Sequence, residues 1–135
     1  MRRTILLLAT MALTLLVASG VALAVIRIGT DGPDTLRGTK GSDQLLGKGG
    51  SDRINGRAGT DSILGGAGGD ILTDGPFREG AVDVLAGGDG NDLLYANNHP
   101  VARDVVGCGA GRHDIAIVDR KDVVSDDCER IRHSP

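Results

Sequence analysis

Five aspartates, Asp34, Asp43, Asp52, Asp61 and Asp70, stand nine residues apart, and each is followed two positions later by Leu or Ile. Set in register, residues 29 to 73 read GTDGPDTLR, GTKGSDQLL, GKGGSDRIN, GRAGTDSIL and GGAGGDILT, with Gly at the first and fourth positions and Asp at the sixth. The phase breaks over Asp74 to Glu79 and returns with Asp83 and Leu85, then with Asp92 and Leu94 in GGDGNDLLY. A fixed short period marks a solenoid, in which no repeat buries its own apolar residue and each does so by stacking on its neighbours. Gly supplies the tight turns, and the triplet around each aliphatic residue has room for only a three-residue strand. Turn, short strand, turn, short strand describes a coil.

These rows follow the pattern G-G-x-G-x-D-x-U-x, and through them residues 29 to 95 resemble the hemolysin-type, or repeats-in-toxin (RTX), calcium-binding nonapeptide family. The resemblance extends, more loosely, to small secreted bacterial proteins of that type. It implies an all-β chain folded as a right-handed parallel β-roll, a β-solenoid with two repeats to the turn. Alternate aspartates then share an edge: Asp34, Asp52 and Asp70 on one, Asp43 and Asp61 on the other. Counting through the insertion puts Asp83 below Asp61 and Asp92 below Asp70. The family's calcium ions lie between stacked turns, on carboxylates and on backbone carbonyls from both, so all seven of these aspartates are candidate metal ligands.

Elementary electrostatics leads the same way. Strands stack about 4.8 Å apart, so neighbouring carboxylates repel by about 0.9 kcal/mol in water and several-fold more at a partly dry edge. Sixteen of the 18 acidic residues are Asp, the shorter carboxylate, and the repeats carry neither thiolate nor imidazole. An all-oxygen donor set suits a hard, flexible cation, calcium before magnesium. Asp and Gly also make good turns with no metal at all. A turn, however, needs no Asp at a fixed sixth position, whereas an ion shared between turns does. Leu36, Leu45, Ile54, Ile63, Leu72, Leu85 and Leu94 form the expected core. So few apolar side chains cannot offset the ordering of the whole repeat backbone, so folding is expected to depend on calcium. Basic residues at the second position, Lys48 and Arg57, and the worn unit REGAVDVLA at 78 to 86 predict some weak gaps, with affinities of about 10⁻⁴ to 10⁻³ M.

Residues 1 to 24 read as a secretory signal peptide: Arg2 and Arg3, an apolar run from Thr4 to Val17, and a cleavage site after Ala24 in Ala22-Leu23-Ala24. An uncleaved anchor is the alternative, because apolar character continues to Ile26 and about 20 such residues can span a bilayer. Cleavage removes two of 15 basic residues and none of the 18 acidic ones, leaving 13 − 18 = −5. That acidity, with one Tyr, one Phe and no Trp, argues against nucleic acid as a partner. No stable membrane insertion is expected after cleavage.

The repeats are assigned to residues 25 to 106, with an insertion near 74 to 80 and a loop at 96 to 103, and a C-terminal cap to 107 to 135. Cys108 and Cys128 allow a single intramolecular disulfide, expected in an exported chain and suited to pinning the cap; free thiols or an intermolecular bridge are the alternatives. Two short strands around Ile115 to Val118 and Val123-Val124 are expected to extend the roll by about one coil. His99, His113 and His133 have no metal-binding spacing, and no Ser-His-Asp or Cys-His arrangement is present, so no enzyme activity is expected. The reading is a secreted, extracellular calcium-binding roll with a structural or cell-surface role. A calcium-dependent adhesion or carbohydrate-binding module is the alternative, with an extracellular glycan or protein as ligand. An accessory module of a secreted hydrolase comes third.

Overall fold

The computed structural model describes residues 23–75, 80–97 and 101–135. All but Leu23 and Ala24 of the expected signal peptide lie outside the described residues, as do residues 76–79 of the insertion and 98–100 of the loop. Twelve strands and no helix are formed among the described residues. In chain order they are β1 (Ile26–Ile28), β2 (Thr35–Arg37), β3 (Gln44–Gly49), β4 (Arg53–Asn55), β5 (Ser62–Ala67), β6 (Ile71–Thr73), β7 (Val84–Asp89), β8 (Leu93–Ala96), β9 (Val105–Ala110), β10 (Ile115–Val118), β11 (Val123–Val124) and β12 (Arg130–His133). Odd strands pair in parallel as one six-stranded sheet, even strands as a second, so one odd and one even strand make each coil of a parallel β-solenoid of about six turns.

The register follows the repeat. Leu45 pairs with Ile63, Ile63 with Leu85 and Leu85 with Val106 in the first sheet. In the second, Leu36, Ile54, Leu72, Leu94, Ala116 and Ile131 stack in order. Each is the middle residue of its triplet, and alternation along a strand sends it inward while its neighbours point out. The core therefore has an aliphatic layer at the middle of each triplet, joined in β8, β9 and β10 by Ala96, Cys108 and Val118, and is closed to water from Leu45 and Ile54 to Val106 and Ala116. It thins at both ends, where Leu36 is half-buried and Ile131 is 44 % exposed.

Across the insertion the stacking is unbroken: Ser62 pairs with Val84 and Ile71 with Leu93. No strand is skipped, since β5 pairs directly with β7 and β6 with β8. Beyond Tyr95 the roll gains two coils, β9 with β10 and β11 with β12, where the sequence pointed to about one. The difference lies in turns of irregular length, which hide the last repeats from a search at period nine. Cys108 in β9 is bonded to Cys128, in the turn before β12, with their Cα atoms 5.1 Å apart.

Candidate metal centre

Each turn ends in the triplet's leading Asp, whose carboxylate turns back against the coil above. On the edge preceding the even strands, the backbone N–H of Asp34 donates to Asp52 Oδ1 at 2.7 Å, Asp52 to Asp70 at 2.8 Å, Asp70 to Asp92 at 2.8 Å and Asp92 to Asp114 at 2.7 Å. Asp114 N–H closes the row on Glu129 Oε2 at 2.8 Å. The other edge runs from Val25 N–H to Asp43 at 2.7 Å, then through Asp61, Asp83 and Asp104 to Asp122. The seven repeat aspartates thus lie in two ladders, 34/52/70/92 and 43/61/83, as the count through the insertion predicted.

One carboxylate oxygen is thereby committed to the backbone. The second is not used in the same way everywhere. Asp34 Oδ2 accepts from Thr30 N–H at 2.5 Å and from its hydroxyl at 2.9 Å, and Asp43 Oδ2 accepts from Thr39. In the middle of the roll, Oδ2 of Asp52, Asp70, Asp92 and Asp114 is buried with no hydrogen-bond partner. A carboxylate oxygen in that position pays desolvation without return unless it is protonated or meets a cation.

The surroundings suit a cation. The first Gly of each repeat faces the Asp of its own turn and the carbonyl of the coil below: a Cβ on Gly29 would lie 2.5 Å from Gly47 O and 2.7 Å from Asp34 Oδ2. Gly47, Gly65 and Gly87 repeat this arrangement against Asp52, Asp70 and Asp92, and Gly38 and Gly56 against Asp43 and Asp61. Only a residue with no side chain leaves these oxygens a shared space, which explains why the first position is glycine. The residues present therefore fit a hard, oxygen-seeking divalent ion such as calcium.

Two substitutions fill the cradle. Asp74 takes the first-glycine place below Gly56, and its carboxylate approaches those of Asp83 and Asp104, with oxygens of all three within 4.8 Å of one another and all three residues buried. Cys108 takes that place below Gly87 and spends its side chain on the disulfide. Burial, foremost, pushes the carboxyls of Asp74 and Asp83 up to about 7 and that of Asp92 up to about 6, with charge repulsion from the neighbouring aspartates adding to it. Burial likewise raises Asp70, Asp114 and Asp122.

Outside period nine lie Asp74, beside the ladder, and the rungs Asp104, Asp114, Asp122 and Glu129, of which Asp104 with Val106 reads in the sequence as one more worn repeat. Four of these carry a signal: Asp104 with Val106, Asp114 with Ala116, Asp122 with Val124 and Glu129 with Ile131 each place a carboxylate two residues before an inward-facing position. Asp74 carries none, because its role comes from standing where the repeat has glycine.

The family model for the RTX calcium-binding nonapeptide repeat (4 copies) matches residues 28–63, 38–72 and 79–99. No curated protein and no solved structure matches the chain.

Proposed function

Because this chain carries RTX calcium-binding nonapeptide repeats, we propose that it is an exported β-solenoid whose coils are bolted together by calcium along both Asp edges, in a structural role outside the cell. The observation that carries the reading is the row of buried, partnerless Oδ2 atoms at Asp52, Asp70, Asp92 and Asp114. The ligands are Asp34, Asp43, Asp52, Asp61, Asp70, Asp83 and Asp92 with the facing glycine carbonyls, and Asp114 extends the set. At the phase break, Asp74 joins Asp83 and Asp104. The ions supply the positive charge that the ladder lacks, and the protein orients fixed oxygens around them. No catalytic step is assigned: the stacked carboxylates share one kind of environment, where acid–base catalysis needs two contrasting ones.

Calcium titration followed by far-ultraviolet circular dichroism and calorimetry tests this. The protein is expected to gain its β signal as calcium is added, and Asp52→Ala, which touches the gaps 34/52 and 52/70, to lower the number of ions bound. Full β signal in excess chelator, or unchanged stoichiometry in the variant, would refute the proposal.

A further inference from the structure

We infer that the outer face of the even-strand sheet, over β2, β4 and β6, is a binding site for an anionic polysaccharide, gripped by Arg37, Arg53 and Arg57. The inference presupposes the calcium-loaded coil proposed above and adds a ligand to it. In the β2–β4 register Arg53 stands beside Thr35 and Arg37 beside Asn55, while the intervening Leu36 and Ile54 face the core. Both arginines are therefore on the outer face, and both are exposed. With Arg57, Thr35, Asn55 and Thr73 they line a hollow of about 300 Å³. A second hollow of about 370 Å³ shares Asn55 and Arg57 with it and adds Lys40. Four cations thus border the two adjoining hollows, and among the described residues no carboxylate lines either. In a chain with 18 acidic and 15 basic residues, such segregation leaves the guanidinium groups facing solvent together.

The backbone supplies an independent observation. Among the described residues only Lys48 and Arg57 have positive φ without being glycine, at 80° and 78°. Lys48 stacks on Gly66, and Gly66 on Gly88, both of φ 113°; Arg57 stacks on Gly75. Glycine would hold either position without strain. An L-residue kept there marks a side chain with a use, and in Arg57 that side chain joins the two hollows.

The chemistry favours a sugar polymer bearing carboxylate or sulfate groups. Planar guanidinium forks match such oxyanions two bonds at a time, and the Thr35 and Thr73 hydroxyls and the Asn55 amide suit sugar hydroxyl groups. Among the described residues no aromatic ring lines either hollow, so bases find nothing there to stack on. A broad anionic bilayer would confront the acidic molecule as a whole, whereas a single polymer strand meets only the hollows.

Binding of the calcium-loaded protein to immobilised heparin and to immobilised polygalacturonate at moderate salt provides the test. Retention is expected on at least one, with affinity about 10-fold lower for Arg37→Gln/Arg53→Gln and about 3-fold lower for Arg57→Gly. The control Arg130→Gln/Arg132→Gln, on the far strand of the same sheet, should bind as the parent does. Equal affinity of Arg37→Gln/Arg53→Gln and parent, retention on neither polymer, or tighter retention on phosphatidylserine vesicles or single-stranded DNA would overturn the inference. Calcium stoichiometry measured on the same samples separates the two proposals. Failure to load calcium appears there in every variant, and failure of the basic hollow appears only in properly loaded protein.

Discussion

Replacing Asp70 by asparagine separates two contributions of one side chain. Oδ1 holds the backbone N–H of Asp52, and an amide oxygen can still do so; the buried Oδ2 has no partner, and the substitution removes its charge. Burial raises the Asp70 carboxyl, which means that its ionised form is a burden on the metal-free fold. Asp70→Asn is therefore expected to leave the chelated protein with at least as much residual β signal as the parent, and to weaken calcium binding in the gaps it borders. Circular dichroism in chelator beside calcium calorimetry checks this, and a variant that loads calcium as well as the parent contradicts it. Such dual use was only half legible in the sequence. The fixed sixth position singled out the carboxylates, and the family resemblance implied which ones share an edge. That each also caps the N–H of the previous coil depends on a side-chain direction that no spacing encodes.

At the scale of the coil, the ladder makes stability depend on pH. Asp74 and Asp83 titrate near 7 and Asp92 near 6 in the fold, against an ordinary value of 3.8. Between those limits the folded chain binds more protons than the unfolded one, so metal-free stability is greatest below the ordinary value and is lost as pH rises through 6 and 7. Calcium reverses the trend, because it needs the carboxylates ionised. Chelated protein should thus keep more residual β signal at pH 5 than at pH 8, while apparent calcium affinity falls from pH 8 to pH 5; parallel pH dependences in the two conditions would contradict the account. The coils themselves were legible to the extent that their turns kept one length. From Asp83 onward the ladder residues are spaced 9, 12, 10, 8 and 7 apart, through Asp92, Asp104, Asp114, Asp122 and Glu129. The strands still stack in register because only the turns absorb the difference. A strand's register is set by which residue faces inward, and the carboxylate two positions earlier is a more durable mark of that than the period.

For the whole molecule, the arrangement is one-dimensional: each coil touches only its neighbours, so stability is a sum of local terms and ends are vulnerable. At the C-terminal end the means of holding coils together changes. Where Gly29, Gly47, Gly65 and Gly87 leave an oxygen-lined space, Cys108 fills it and reaches Cys128 in the next coil. A covalent link thus stands where the other coils of that edge offer room for an ion. The sequence predicted the bond from two cysteines in a chain expected to be exported but gave no hint of this equivalence, which appears only once Cys108 is seen to stack below Gly87. Opening a loop with a sequence separation of 20 residues removes about 3 kcal/mol in the chain-entropy model. In a solenoid that loss should stay local. Cys108→Ser/Cys128→Ser, loaded with calcium, is expected to lose amide-exchange protection in β9 to β12 while β3 to β6 remain as protected as in the parent, because their stacking neighbours are unchanged. Uniform loss of protection along the chain would mean that the roll melts as one cooperative unit, and that the disulfide supports every coil and not only the last two.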